Sequence, residues 1–348
     1  MNGPPGQLLF AGFPGLAAPP ALLERIGEGR VGGVVLFKRN IAAAEQVRAL
    51  VTALRSAAPP ALPLLVAIDQ EGGRVQRLRG PWTEWPAMRR VAEHGDPERT
   101  AAVAAALARE LREAGIELDF APVVDVDTNP ANPVIGDRSF ARTPEEVARH
   151  ARAFIAALQA GGVAACAKHF PGHGDTAQDS HHELPRLDHD LERLRRVELP
   201  PFRAAIEAGV ASVMTAHVLL PALDPDLPAT LSPRALAILR GELGYDGVVF
   251  SDDLEMRAVA DRFPIEARVE LAIRAGVDAV LACSELPLWE PALAHLESLP
   301  RALLADPLRR IAALKARFAR GPRFAPGTPP YPEHLALAED LRRGQTSS

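Results

Sequence analysis

Eight short apolar runs recur along the chain, each followed by a stretch carrying the punctuation of a helix, and this alternation limits the possible folds more than any other feature. The runs lie at residues 8–12, 31–37, 64–68, 116–124, 163–167, 211–215, 247–250 and 278–283. They are rich in Val, Ile, Leu and Ala and show little polar alternation, which suits strands buried on both faces, as in a parallel sheet. Parallel neighbours need crossover helices, and the helix signals are present. Asp96-Pro97 opens a helix that stops at Gly115. Thr143-Pro144-Glu145-Glu146 reads as a capping box for one ending at Gly161, and Ser232-Pro233 opens another. Eight such units predict an α/β fold with a single (β/α)8 barrel of the TIM type over residues 1–320, since a doubly wound open sheet usually has fewer strands. The segment 321–348 holds Pro322, Pro326, Pro329, Pro330 and Pro332 and reads as a Pro-rich strap or loose tail in extended conformation.

Composition sets the class of partner. A chain of 348 residues with 47% hydrophobic content can bury a large core. Its 39 Lys and Arg against 44 Asp and Glu leave no basic stripe for a phosphate backbone, so nucleic acid is not an expected partner. Lysine occurs only at Lys38, Lys168 and Lys315. The two cysteines, Cys166 and Cys283, sit in apolar runs and read as buried free thiols of a reducing compartment. Residues 1–15 lack the charged and apolar segments of a secretory leader, and no run reaches the ~20 apolar residues of a membrane span. The expected location is cytoplasmic, with no membrane partner.

In such a barrel the reacting groups stand where strands end. Five of the eight runs end in charged or imidazole groups: Asp69-Gln70-Glu71, Asp125, Lys168-His169, His217 and Asp252-Asp253. A lone acid at a strand end is usually a helix cap, but five strands supplying such groups to one mouth point to a site. The densest stretch is KHFPGHGDTAQDSHH, residues 168–182, with four histidines, two aspartates and a lysine. Pro171, Gly172 and Gly174 exclude a helix there, so the stretch is a loop after the fifth strand. Two chemistries fit it. Zinc hydrolysis would use His169, His173, Asp175 or His181, yet the spacings that place metal ligands on one rigid element are missing. Acid/base catalysis would use His181, with the Asp179 carboxylate orienting the imidazole and favouring its protonated form; His173 or Asp175 stands next in line.

VVFSDDLEM, residues 248–256, places two carboxylates side by side at a strand tip. Their adjacency suggests a division of labour, with Asp253 capping the next helix and Asp252 pointing into the mouth as a nucleophile. A carboxylate nucleophile with a separate proton donor is the pairing that glycoside hydrolysis with retention requires. In AIDQEGGRVQRL, residues 67–78, Asp69 can accept sugar hydroxyls and Arg77 can reach back, while Gly72 and Gly73 permit a close turn. Arg138, in a turn-rich loop, can reach the same mouth.

Taken together, IDQEGGRVQRL, IGDRSF, KHFPGHGDTAQDSHHELP and FSDDLEM resemble the β-N-acetylhexosaminidases of glycoside hydrolase family three, in order and across nearly the whole chain. The resemblance implies Asp252 as nucleophile, His181 as proton donor and Asp179 as its partner. It implies that Asp69, Arg77, Arg138, Lys168 and His169 bind N-acetylglucosamine. It also implies an exo-acting retaining enzyme, a monomer without metal or organic cofactor, that takes terminal β-linked N-acetylglucosamine from saccharides or muropeptides during cell-wall recycling. The β-glucosidase branch usually adds a second α/β domain, which this chain is too short to hold. Two other readings are a phosphorylase using the same residues, because an imidazole in place of a carboxylic acid repels phosphate less, and a sugar-binding protein without catalysis.

Overall fold

A computed structural model of the protein describes residues 3–178, 180, 183–319 and 329–343. All eight expected runs form strands: β1 (Leu9–Ala11), β2 (Gly33–Leu36), β3 (Leu65–Ile68), β6 (Leu118–Asp119), β7 (Ala164–Phe170), β8 (Ser212–Thr215), β9 (Val248–Asp253) and β10 (Ala279–Ala282). They close into a parallel barrel in chain order, the ring being completed where β1 pairs with β10 from Leu9 opposite Val280 to Ala11 opposite Ala282. A small antiparallel hairpin, β4 (Gln70–Gly72) and β5 (Val75–Gln76), stands on the end of β3.

Helices return the chain between strands. They are α1 (Pro20–Gly27), α2 (Ala44–Ala57), α3 (Met88–Ala92), α4 (Pro97–Ala114) and α5 (Pro144–Ala160). Next, α6 (Leu191–Arg193) runs through a π-helical stretch into α7 (Leu199–Glu207), followed by α8 (Pro233–Ala237), α9 (Arg257–Ala260) and α10 (Ile265–Ala275). After the last strand come α11 (Leu286–Ser298), α12 (Arg301–Phe318) and α13 (Pro332–Arg343). Asp96 caps α4 by accepting from Glu98 N, and Ser232 caps α8 by accepting from Ala235 N, as the sequence signals require.

The barrel interior is packed with aromatic rings. Phe250 meets Phe10 and Phe120 edge to face, with centroids 4.9 and 5.5 Å away. A Cβ at position 33 would lie 2.2 Å from the Phe10 ring, so glycine there is what lets this ring enter. Truncating a ring packed in this way typically costs about 3–5 kcal/mol. The carboxyl-terminal end of this packed barrel carries the site.

Three expectations need correction. The Thr143 side chain makes no capping bond to α5, whose start rests on Pro144 and on Glu145 and Glu146 in its first turn. Asp253 caps no helix: its Oδ1 accepts from Glu255 N and closes a turn, and α9 begins later, at Arg257. The tail is not extended throughout. Residues 332–343 form α13, which docks on α4 because its side chains answer buried carboxylates there: His334 Nδ1 meets Glu110 Oε1 at 2.7 Å, and Tyr331, just before it, donates to Glu113 Oε2 at 2.5 Å. Cys166 and Cys283 are buried free thiols. Among the described residues no helix is long and apolar enough to cross a membrane.

Candidate active site

The end of β3 and the hairpin behind it supply most of the charge. Asp69 and Glu71 flank Gln70, whose backbone N donates to Asp119 Oδ1 on β6 at 2.9 Å. The Gln70 side chain ties the hairpin together, its Oε1 accepting from Arg77 N and Leu78 N and its Nε2 donating to Leu78 O. Gly72 and Gly73 make the turn with φ of 94° and 58°. A Cβ on either would press within 2.8 Å of the Pro86 carbonyl or Ala87 Cα, so the backbone packs too closely here for any side chain.

Lys168, at the end of β7, reaches across the barrel and places Nζ 2.8 Å from Asp69 Oδ1 and 2.6 Å from Glu71 Oε1. Arg138 grips the same Glu71 with two bonds of 2.8 Å, and Arg77 lies 3.3 Å from Asp69 Oδ2. The result is a continuous chain of charge, Arg77–Asp69–Lys168–Glu71–Arg138. Burial would raise the carboxyls of Asp69 and Glu71, but the cations outweigh it: both are held below the usual carboxylate range, and Lys168 stays charged with its pKa pushed up. Glu71 was named at the end of the third strand but given no role there. It stands two positions from Asp69, the spacing that returns to one face of an extended chain, and this was the available signal.

His169 follows Lys168, and the Lys168–His169 and Phe170–Pro171 peptides are both cis. Asp125, fully buried behind the site, holds His169 Nδ1 at 2.7 Å and accepts the backbone N–H groups of His169 and His173. Burial raises its carboxyl, yet the two imidazoles and these donors bring it below its ordinary value. His217, the sixth strand's polar end, spends its two nitrogens on Thr230 Oγ1 and the Asp253 carbonyl, 2.9 Å each, and so pins the β9 tip.

Asp69, Arg77, Arg138, Lys168, His169 and Asp252 all line one cavity of about 270 Å³ at the barrel mouth, with Phe37 and Met214 among its apolar walls. Asp252 is half-buried at the tip of β9 and accepts from Asp253 N at 2.8 Å. Among the described residues no salt bridge holds it, whereas Asp69 is paired twice. Asp253 beside it is shielded from water, which pushes its carboxyl up to about 7.

Asp179 and His181 lie outside the described residues. Ser180 and His173 line the cavity, and the Ser180 carbonyl accepts from Ala258 N at 3.4 Å. His173 meets Thr176 Oγ1 and Ser180 Oγ at 2.7 and 3.2 Å, and burial lowers its pKa to about 4, so it is a neutral latch for the loop rather than a proton donor at neutral pH. Asp175 turns away to Thr128 Oγ1 and His189 Nε2, at 2.6 and 2.9 Å. Among the described residues no group of three or more His, Cys, Asp or Glu is placed to hold a metal ion.

A polar mouth on a barrel, with carboxylates outside any described salt bridge facing a chain of neutralised charges, suits a barrel glycosidase. Residues 7–314 match the glycosyl hydrolase family 3 N-terminal domain, and the chain belongs to that family. It is 42% identical over 321 residues to a β-hexosaminidase of Chromobacterium violaceum, covering 90% of this chain and 88% of the relative. A β-hexosaminidase of Pseudomonas aeruginosa is 45% identical over 271 residues, covering 77% and 80%. Among solved structures, a family 3 β-N-acetylglucosaminidase from Paenibacillus superposes with a TM-score of 0.92 at 42% identity, over 97% of this chain and 67% of that one. NagZ from Neisseria gonorrhoeae gives 0.82 at 33%, over 96% and 97%. These likenesses place the chain among the β-N-acetylhexosaminidases of the family.

Proposed function

We propose that the chain is an exo-acting β-N-acetylglucosaminidase that works with retention of configuration through a glycosyl-Asp252 intermediate. The observation that carries this reading is the contrast among the carboxylates of the mouth. Asp69 and Glu71 are each paired with two cations, and Asp253 closes a backbone turn. Asp252 and Asp253 both line the cavity without a described salt bridge, and with Asp253 engaged in its turn, Asp252 is the carboxylate left to face the sugar. A nucleophile must not be tied up in an ion pair, and among the described residues Asp252 has none.

In the first step a carboxylate oxygen of Asp252 bonds to the anomeric carbon while the bond to the leaving oxygen breaks, and His181, supported by Asp179, gives that oxygen its proton. In the second step His181 takes a proton from water, whose oxygen replaces Asp252 at the anomeric carbon. The charge chain serves binding: Asp69 offers acceptors to the sugar hydroxyls, and Lys168, Arg77, Arg138 and His169 offer donors around it. The solved Paenibacillus relative named a β-N-acetylglucosaminidase supports N-acetylglucosamine as the sugar. The resemblance further suggests muropeptides as substrates, a cytoplasmic setting and a role in cell-wall recycling.

The test uses p-nitrophenyl N-acetylglucosaminide and the matching glucoside, each with and without phosphate, together with a 2-fluoro sugar and mass spectrometry. The acetamido sugar alone should turn over, with the free sugar as product, and the fluoro sugar should label Asp252. Asp252→Ala should stay folded and lose turnover. A glycosyl phosphate product would make the enzyme a phosphorylase, and a label on Asp253 or Asp69 would reject the assigned nucleophile.

A further inference from the structure

Lys315, one of three lysines in the chain, lies at the end of the barrel remote from the catalytic mouth. It projects from α12 and is 5% exposed. Its only described polar partner is Gln7 Oε1, 2.5 Å away. The Gln7 amide is fixed in that orientation because its Nε2 donates to the carbonyls of Gly29 and Val31, at 2.7 and 3.3 Å. An ammonium has three N–H donors, so one neutral acceptor leaves it short of partners and of any counter-charge. Burial alone accordingly lowers its pKa to about 7. The other two lysines differ: Lys168 meets two carboxylates, and Lys38 stands at the mouth.

The amine borders a cavity of about 240 Å³ walled by Leu62, Pro63, Leu308, Ile311 and Ala312, with Gln7 beside the amine. Lys315 is the sole titratable group among the described residues that face this space, from its own helix, from residues 61–63 and from the segment before β1. An apolar hollow with one cation-forming group at its edge matches a molecule with an apolar body and one negative charge. The volume equals that of about eight water-sized groups.

We propose that this cavity is a second, non-catalytic binding site that takes a small apolar monocarboxylate, with Lys315 supplying the counter-charge. The carboxylate replaces the missing partner, and the amine becomes a bound ammonium. Binding therefore takes up a proton from solution when the free amine is neutral, and this coupling distinguishes the site from a merely greasy hollow.

Hexanoate and 1-hexanol, alike in tail and different in head, are the probes. Calorimetry on the full chain at pH 8, repeated in buffers of different ionisation enthalpy, should show hexanoate binding with uptake of about one proton per ligand. Hexanol should bind at least about tenfold more weakly, the scale of one charge-assisted hydrogen bond. Lys315→Met, which keeps the apolar stem, should lower hexanoate affinity at least about tenfold while leaving hydrolysis of the p-nitrophenyl substrate unchanged. No hexanoate binding, equal affinity for both probes, or binding without proton uptake would overturn the proposal. The proton count is read on the unmodified protein and stands even if the variant folds poorly.

Discussion

Residue by residue, the site depends on which carboxyl groups are ionised. Asp119 stands directly behind the charge chain, fully buried, with Oδ1 accepting from Gln70 N and Oδ2 without a partner among the described residues. Burial pushes its carboxyl up to about 8, so the folded protein keeps a proton there that the unfolded chain releases in the ordinary carboxylate range. The folded state therefore binds more protons than the unfolded one between that range and about 8, and stability from this group declines as pH rises through the window, levelling off above it. Asp119→Asn has no such group. Denaturant midpoints at pH 5, 7 and 9 should show the variant gaining on the wild type as pH rises, by at most about 1.4 kcal/mol per unit. Parallel curves would mean that Asp119 is ionised throughout. Asp69, Lys168, His169 and Asp252 were legible in the sequence because each stands at a strand end, and Arg138 because it lies in a turn-rich loop. Asp119 was not named and Glu71 was given no role, since their importance comes from neighbours on other strands that no local pattern announces.

Among the elements, the hairpin after β3 shows how local backbone geometry sets a binding surface. Neither its pairing nor its tether to β6 was foreseen, because its strands of three and two residues are too short for periodicity to register. What was visible was the need for close turning at Gly72 and Gly73. Gly73→Ala puts a methyl against Ala87 at a φ of 58°, so the hairpin must shift and take Asp69 and Arg77 with it. The expected outcome is a several-fold rise in KM for the acetamido substrate with a smaller change in kcat, read from steady-state kinetics. An unchanged KM would show that the hairpin does not set the sugar site. The eight barrel strands were legible for the opposite reason: each is buried on both faces, and burial writes itself into composition.

For the whole molecule, α13 shows how far a sequence pattern can mislead. The prolines of residues 322–332 suggested an extended strap, yet the segment beyond them folds against α4, where Glu110, already accepting from Thr83 N, gains His334, and Glu113, already paired with Arg109, gains Tyr331. Arg109 adds a 2.7 Å bond to Glu333 at the exposed edge of this contact. A chain ending at Ala319 takes one partner from each of those carboxylates, which keep Thr83 N and Arg109, and exposes the side of α4 that α13 covers. Its melting temperature should fall by several degrees, since losses of about 1–3 kcal/mol are expected for such bonds. Its kcat on the p-nitrophenyl substrate should hold, because none of the described residues lining the mouth belongs to the removed segment. A fall in kcat with no change in melting temperature would assign the tail to catalysis.

The seam between β1 and β10 also governs how the molecule comes into being. On the ribosome the first strand emerges early, while its closing neighbour, Ala279–Ala282, emerges near the end of synthesis. At translation rates of about 5–20 residues per second, β1 waits on the order of tens of seconds with one flank unpaired. Chains that stall before the seam can form carry an open parallel edge, which makes them substrates for chaperones and proteases and seeds for aggregation.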